Sequence, residues 1–458
     1  MLFRPRPHVR ALAAIAGVAV VAFGTPSRGL EAQVRKITYT DTRLKNGLRV
    51  IVAEDQSAPV YSIAISYNAG SRDERRGRTG FAHLFEHMMF KGSENVGPGE
   101  HFTLVFNNGG DMNGTTNKDR TLYYETLPAN QLDLGLFLEA DRMRSLVINK
   151  ENLANQINAV QEERRLGIDN QAYGRTFEVV DSLAYTSFGY QHSVIGSMAD
   201  LSAASVEDVA DFFKTYYAPN NAVMAIVGAV KTADVLAKAR KYFEPIPSQP
   251  PPPAVSLVEP PGTAEKRLTL EDALARLTRV DASWVVPPSD SRDEDALTVL
   301  ASILGGGRSS RLYDAVVNRQ QLAAGINTSK GESRGPGLFR LSITVAPGKA
   351  AAAAEAAAYA EIERIQQQAP ADWEIEKARS SARRALVGRM QSSLQRAILL
   401  SQYALFYDDP ARINTSAERI AAVTAADVQR VARQYLTKEN RSVVVTTPKA
   451  AAGRGGNP

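Results

Sequence analysis

Two histidines four residues apart, with a glutamate directly before the second, stand at His83-Leu84-Phe85-Glu86-His87. On a helix this spacing turns both imidazoles and the carboxylate to one side, where the nitrogens can hold a metal while Glu86 handles a proton. The order is the reverse of the common zinc-peptidase signature. The chain has five histidines and no cysteine. Disulfides and thiolate ligation are therefore excluded, and any zinc must sit on His, Asp or Glu.

Two histidines leave a catalytic zinc one protein ligand short, with water in the fourth place. A carboxylate is the natural candidate. The helical pattern from Glu151 to Ile168 sets Ile157, Val160 and Arg164 on one stripe. Glu163, three residues after Val160 and seven after Gln156, shares the side of those two, whereas Glu162 points elsewhere. Glu163 is the candidate, although Glu162-Glu163-Arg164-Arg165 also reads as a solvated charged run.

The elements that must carry these groups read as strands mixed with helices, an α+β class with sheets covered by helices. Leu48–Ala53 and Tyr61–Tyr67 are rich in β-branched and aromatic residues and follow an Asn46-Gly47 turn signal. Val206–Val209 leads to Tyr216 and the strand Ala222–Val227, and Ala425–Val428 leads in the same way to Tyr435 and the strand Ser442–Thr446. In both, an Asp precedes the Tyr by eight residues, an echo that marks two copies of one plan. Further strand and helix signals fall at Ala282–Val286, Asp293–Leu304, the alanine-rich Ala350–Ala360 and the charged stretch Asp372–Arg396, which reads as a solvated helix face. Four prolines at Pro250–Pro253 separate the copies and favour an extended spacer. The expected organisation is 33–247 and 267–447 as homologous domains, joined by a linker at 248–266 and followed by a disordered tail at 448–458.

At 458 residues core burial is not limiting, and 22% charged residues is ordinary for a globular protein. Lys and Arg are dispersed rather than gathered in a basic stripe, which argues against a nucleic-acid partner. Residues 1–32 read as a secretory signal peptide: Arg4, Arg6 and Arg10 precede the apolar run Ala11–Gly24 and a small-residue cleavage site at Leu30-Glu31-Ala32. That run is shorter than the roughly 20 residues a membrane span needs, so no permanent span is expected. The expected location is periplasmic or secreted. His101 and His192 are solitary and read as surface or structural, and Trp284 and Trp373 as core or partly buried.

The motif has company. Gly80-Phe81-Ala82 precedes it, and Phe90-Lys91-Gly92-Ser93, Gly109–Thr116, Tyr123-Tyr124, Ala140-Asp141-Arg142-Met143 and Tyr217–Asn221 follow. With these, the chain resembles the pitrilysin and insulinase family of inverted-motif zinc peptidases, in its mitochondrial-processing-peptidase-like branch, as a secreted bacterial member. The resemblance covers nearly all of residues 37–447. It implies two homologous domains forming half of a clamshell chamber, one Zn2+ per chain on His83, His87 and Glu163, and Glu86 as general base for hydrolysis of peptides or unfolded polypeptides. It also implies that Asn113, Gly114, Thr115 and Thr116 form an edge strand on which an extended substrate pairs.

Some positions depart from the family. Gln156 stands where many relatives carry a second Glu. Leu304-Gly305-Gly306-Gly307-Arg308 matches a family glycine-rich segment and lacks the ending of a phosphate loop. After it, the family's Arg-Gly-Leu-Ala-Tyr pattern is replaced by Gln320-Gln321-Leu322-Ala323-Ala324, with Arg319 one residue out of step. Active relatives use that Arg and Tyr on substrate. The resemblance therefore implies a homologous partner subunit supplying them, in a heterodimer of which this chain is the catalytic half. The competing expectation is a non-catalytic scaffold or assembly subunit of the same fold, against which the complete His83, Glu86, His87, Glu163 set argues.

Overall fold

The β-branched runs become the buried strands of two sheets in a computed structural model, which describes residues 36–449. The signal-peptide segment 1–32 and positions 450–458 of the expected tail lie outside the described residues, whereas the first two tail positions are ordered: Pro448 ends the last strand and Lys449 N donates to Asp272 O at 3.0 Å. The first sheet contains β1 (Thr40–Arg43), β2 (Arg49–Glu54), β3 (Val60–Tyr67), β4 (Asp111–Thr116), β5 (Thr121–Pro128) and β6 (Ala222–Gly228). Its order is β1-β2-β6-β3-β5-β4, with β2 and β6 parallel and every other pair antiparallel.

The α-helices that accompany it among the described residues are α1 (Phe81–Met88), α2 (Glu100–Asn107), α3 (Leu132–Ser145), α4 (Lys150–Arg164), α5 (Gly174–Ala184), α6 (Phe188–Gln191), α7 (Met198–Ser202), α8 (Val206–Tyr216) and α9 (Thr232–Phe243). No helix or strand interrupts the chain from there to Lys266, where the proline-rich spacer was expected.

The second sheet contains β7 (Lys266–Asp272), β8 (Arg279–Val286), β9 (Ala323–Lys330), β10 (Gly337–Val345) and β11 (Arg441–Pro448), in the order β7-β11-β8-β10-β9. With β7 and β11 parallel and the rest antiparallel, it repeats the first sheet from β2 to β4. Its helices are α10 (Glu294–Gly305), α11 (Ala351–Gln367), α12 (Asp372–Arg389), α13 (Ser393–Tyr407), α14 (Arg412–Ala422) and α15 (Ala425–Tyr435). The echoed segments take matching places. Each is a helix opened by a capping box, Ser205 with Asp208 and Thr424 with Asp427, followed by a strand beside the parallel partner.

Two features depart from the sequence reading. The single solvated helix expected over Asp372–Arg396 is broken at residues 390–392, and the part beyond it, α13, is apolar. Helix α13 leaves its own sheet and packs on β3 and β6 of the first. There Ala397, Leu399 and Leu400 join Ile51, Ala64, Val223, Ala225 and Val227 in one buried cluster. In return α5 packs on β8 and β11 of the second sheet, where Val180 and Ala184 meet Leu338 and Val444. Each sheet is thus covered on both faces, which is why β6 is buried at every position instead of alternating. A fully buried leucine contributes about 1.5–3 kcal/mol, so this exchange of helices is a main source of cohesion between the two halves. The second departure is Trp373, which is 63% exposed, while Trp284 is buried and donates its indole N–H to Thr437 O at 3.0 Å. Among the described residues no helix is long and apolar enough to cross a membrane.

Candidate metal and proton-transfer site

Helix α1 is short, and its position is set at its first turn. Gly80 caps it at φ +89, a left-handed conformation that favours glycine, and a side chain there would meet Ile195 O at 2.6 Å. The carboxylate of buried Glu74 accepts from Gly80 N (2.8 Å) and Ala82 N (2.7 Å), satisfying free amides of the helix start. Below, Phe85 stacks among Phe212, Phe213 and Tyr217. The apolar face being fixed this way, His83, Glu86 and His87 are carried on the rest of the helix.

Helix α4 runs against α1. Asn149 caps it through Asn152 N at 2.8 Å, and its buried stripe is Leu153, Gln156 and Val160. Glu163 follows on that side. The helix end is fastened by Arg164, which donates to Glu178 Oε1 (2.6 Å), Glu178 Oε2 (3.0 Å) and Gly196 O (2.7 Å). Beyond it the expected helix to residue 168 widens into a π-helical turn, Arg165–Asp169.

The two elements bring three ligand atoms together. His83 Nε2 lies 3.7 Å and His87 Nε2 3.4 Å from the same oxygen of Glu163. Ligands bound 2.0–2.1 Å from a tetrahedral zinc lie roughly 3.4 Å from one another, so the donor set fits that ion in type, number and spacing. Burial lowers the His83 imidazole to about 4, which keeps it in the neutral form that ligates metal. Glu163 is lowered from the usual carboxylate value, first by its hydrogen bond with His87. Gln156 is buried and bonded to neighbouring Asn155, and adds no carboxylate to the set.

Glu86 lies beneath them, buried, and burial pushes its carboxyl above the ordinary value. Opposing that, Thr116 Oγ1 donates to Glu86 Oε2 at 2.5 Å. The strand that carries Thr116 is β4, the outermost of its sheet and paired only with β5 among the described residues. Asn113 and Thr115 are exposed, while Gly114 is buried against Glu86 and Thr116 is turned to it. The exposed edge of β4 thus borders Glu86 directly.

A second group is close-set. His101, Glu125 and Glu139 place ligand-type atoms within 4.8 Å of one another and are fully enclosed. Arg142 occupies the position a cation would take: its Nε donates to Glu139 Oε2 at 3.0 Å, and its guanidinium lies over the Tyr123 ring at 4.5 Å. His101 Nε2 is 3.4 Å from Glu125 Oε2. Burial pushes Glu125 up to about 7 and His101 down to about 3, so between those two values both are neutral and Arg142 balances Glu139. This cluster is structural. Sequence reasoning missed it, along with Glu74, because residues at 74, 101, 125 and 139 share no helical or strand period. Of the expected second-half positions, Arg319 pairs with Asp314 (2.9 Å) and Glu361 (3.7 Å), and Ala324 is exposed on β9.

The chain is similar to known peptidases over most of its length. Residues 49–196 match the family described as insulinase (peptidase family M16), and residues 203–382 match the M16 inactive domain. The chain is 27% identical over 443 residues to the zinc protease PqqE of Helicobacter pylori, covering 96% of this chain and 99% of that one. It is 26% identical to the probable mitochondrial-processing peptidase subunit beta of Arabidopsis thaliana, over 89% of this chain and 78% of that one. The crystal structure of a protease from Helicobacter pylori superposes with a TM-score of 0.86 at 26% identity, covering 90% of this chain and all of that one.

Proposed function

The chain belongs to the insulinase family of peptidases, family M16, and from that premise we propose that it is a zinc-dependent endopeptidase or oligopeptidase acting on peptides and unfolded polypeptides. The observation that carries this reading is the convergence of His83 Nε2, His87 Nε2 and one Glu163 oxygen beside a buried Glu86. One Zn2+ per chain, held by those three residues, would supply Lewis-acid polarisation of the scissile carbonyl and acidify a water.

The remaining work falls to the chain itself. Glu86, with Oε2 held by Thr116, has Oε1 to take a proton from the attacking water and to return it to the leaving amine. The free side of β4 at Asn113–Thr116 offers backbone groups to an extended substrate, which would lie across the base as an added strand. Residues 33–247 and 267–447 act as two repeats, a division supported by their common strand order. Among the described residues only the first carries the His83, His87, Glu163 set.

Assembly follows from the second half. Arg319 is paired with Asp314 and Glu361, and Ala324 has no hydroxyl, so positions 319–324 offer no unpaired Arg together with a Tyr. This supports a homologous partner subunit that supplies them, in a heterodimer whose catalytic subunit is this chain. The leader-like residues 1–32 support export to the periplasm or beyond.

Zinc stoichiometry together with turnover of an unfolded-peptide mixture, with and without a candidate second subunit, tests the whole reading. One zinc per chain with turnover that rises on adding the second subunit is expected. Full turnover by the chain alone overturns the heterodimer. Zinc binding without turnover in any assembly favours a scaffold subunit instead.

A further inference from the structure

The sequence groups Thr116 with three substrate-facing residues, and its register in the sheet places it elsewhere. Across the β4–β5 ladder Gly114 opposes Tyr123 and Thr116 opposes Thr121. The N–H groups of Met112 and Gly114 turn away from β5 and bond instead to the Asp111 and Asn113 side chains, at 2.9 and 2.8 Å. Residues 112, 114 and 116 therefore point their backbone to the open edge and their side chains to the α1 face, while Asn113 and Thr115 point theirs to the opposite face.

On the α1 face two consecutive positions grip Glu86. At 114 there is no side chain, and a Cβ would stand 3.0 Å from Glu86 Cγ and 3.1 Å from its Oε1. At 116 the hydroxyl gives its one proton to Glu86 Oε2 at 2.5 Å. Further hydroxyls stand behind Thr116. Thr121 Oγ1 is 3.4 Å away and spends its own proton on Ala69 O at 2.9 Å. The Tyr217 hydroxyl lies 3.3 Å from the Tyr123 hydroxyl. Thr121, Tyr123 and Tyr217 are all buried, so these hydroxyls have no solvent with which to exchange partners.

We propose that Thr116 is the positioning residue of the general base: it holds one oxygen of Glu86 and leaves the other free for proton transfer, with Gly114 providing the space. Thr116 acts through Glu86 and makes no side-chain contact with substrate. A carboxylate that must take and return a proton within one turnover needs a fixed orientation, and a glutamate side chain has three rotatable bonds by which to lose it. The strand a peptide would extend is thus also the strand that aims the base, so an error at 116 alters the chemical step rather than binding. This inference rests on the peptidase reading above.

The test uses the zinc-loaded full chain, together with its partner subunit if turnover requires one, and an internally quenched unfolded-peptide mixture. Thr116→Val keeps the shape and removes the hydroxyl, and Thr116→Ser keeps the hydroxyl. For Thr116→Val we expect kcat to fall about 10- to 100-fold, the scale of one lost hydrogen bond to a charged group, with KM within about twofold. Zinc stoichiometry and Tm should stay at the wild-type values, and Thr116→Ser should recover most of kcat. Wild-type kcat in Thr116→Val, a loss confined to KM, or failure of Ser to rescue overturns the inference while leaving the peptidase reading intact. A wild-type protein that binds zinc and turns over no peptide overturns both.

Discussion

Helix α1 on strand β4 and helix α10 on strand β9 occupy corresponding places in sheets of one strand order, and each packs against a long neighbouring helix, α4 or α12. Their contents differ. Helix α1 carries His83, Glu86 and His87 on eight residues, whereas α10 buries Ala296, Leu297, Val299, Leu300, Ile303 and Leu304 and carries no histidine. The edge strands differ in parallel: Gly114 and Thr116 shape and hydrogen-bond a carboxylate that no cation pairs among the described residues, while the α10 carboxylate that reaches β9, Glu294, is neutralised by the Lys330 ammonium. The scaffold fixes where a helix meets an edge strand, and the two junctions differ in the side chains placed on them.

The sharpest way to break this comparison is to alter one residue on each helix. Glu86→Gln preserves shape and should lower kcat about 10²- to 10⁴-fold with zinc retained, as steady-state kinetics and metal analysis will show. In α10, Ile303→Val should cost only about 0.5–1.5 kcal/mol in denaturant unfolding and leave turnover per folded molecule unchanged. Equal kinetic effects from the two would mean the halves are not functionally distinct.

Next in size is the helix exchanged between the halves. Leu399 of α13 is fully buried against the first sheet. Leu399→Ala should cost about 2–5 kcal/mol in urea unfolding, and amide exchange should quicken in β3 and β6 of the first sheet rather than in β8 and β10. Exchange that quickens only around α12 and α14 would contradict the shared core.

The buried carboxyl of Glu125 gives the first half a pH dependence. Burial raises its folded pKa to about 7, above the unfolded value, so the folded state holds a proton that the unfolded state releases between those two values. Stability contributed by that proton is complete below the unfolded pKa, near 4.5, and is lost as pH rises toward 7, by on the order of 3 kcal/mol. In Glu125→Gln that slope should vanish from a pH series of unfolding curves. An unchanged slope would assign it to other groups. Smallest is the hydrogen bond between Ser66 and Ser401, 3.0 Å long across the exchanged helix, where Ser401→Ala should cost about 1 kcal/mol.

Much of this was legible in the sequence, for physical reasons that particular residues illustrate. The i,i+4 histidines and the stripe Gln156, Val160, Glu163 follow helical geometry, so local spacing alone aligned them. Strands β2, β3 and β6 announced themselves by β-branched density. What escaped depends on contacts between distant segments. The break at 390–392 and the transfer of α13 to the other sheet follow from an apolar run whose partners, Ile51 and Val223, lie more than a hundred residues away. The capping of α1 by Glu74 and the enclosure of His101 with Glu125 have no local period. Trp373 was misplaced because composition favours burial of Trp, while its position at the start of α12 points it outward.

The central claim is that His83, His87 and Glu163 form one metal site on the first half alone. Elemental analysis of zinc per chain in the purified protein and in the His87→Ala and Glu163→Ala variants, each checked for folding by circular dichroism, tests it most directly. One zinc per wild-type chain, falling well below one in both folded variants, is the predicted result. Undiminished zinc in either variant, or none in the wild type, would contradict it.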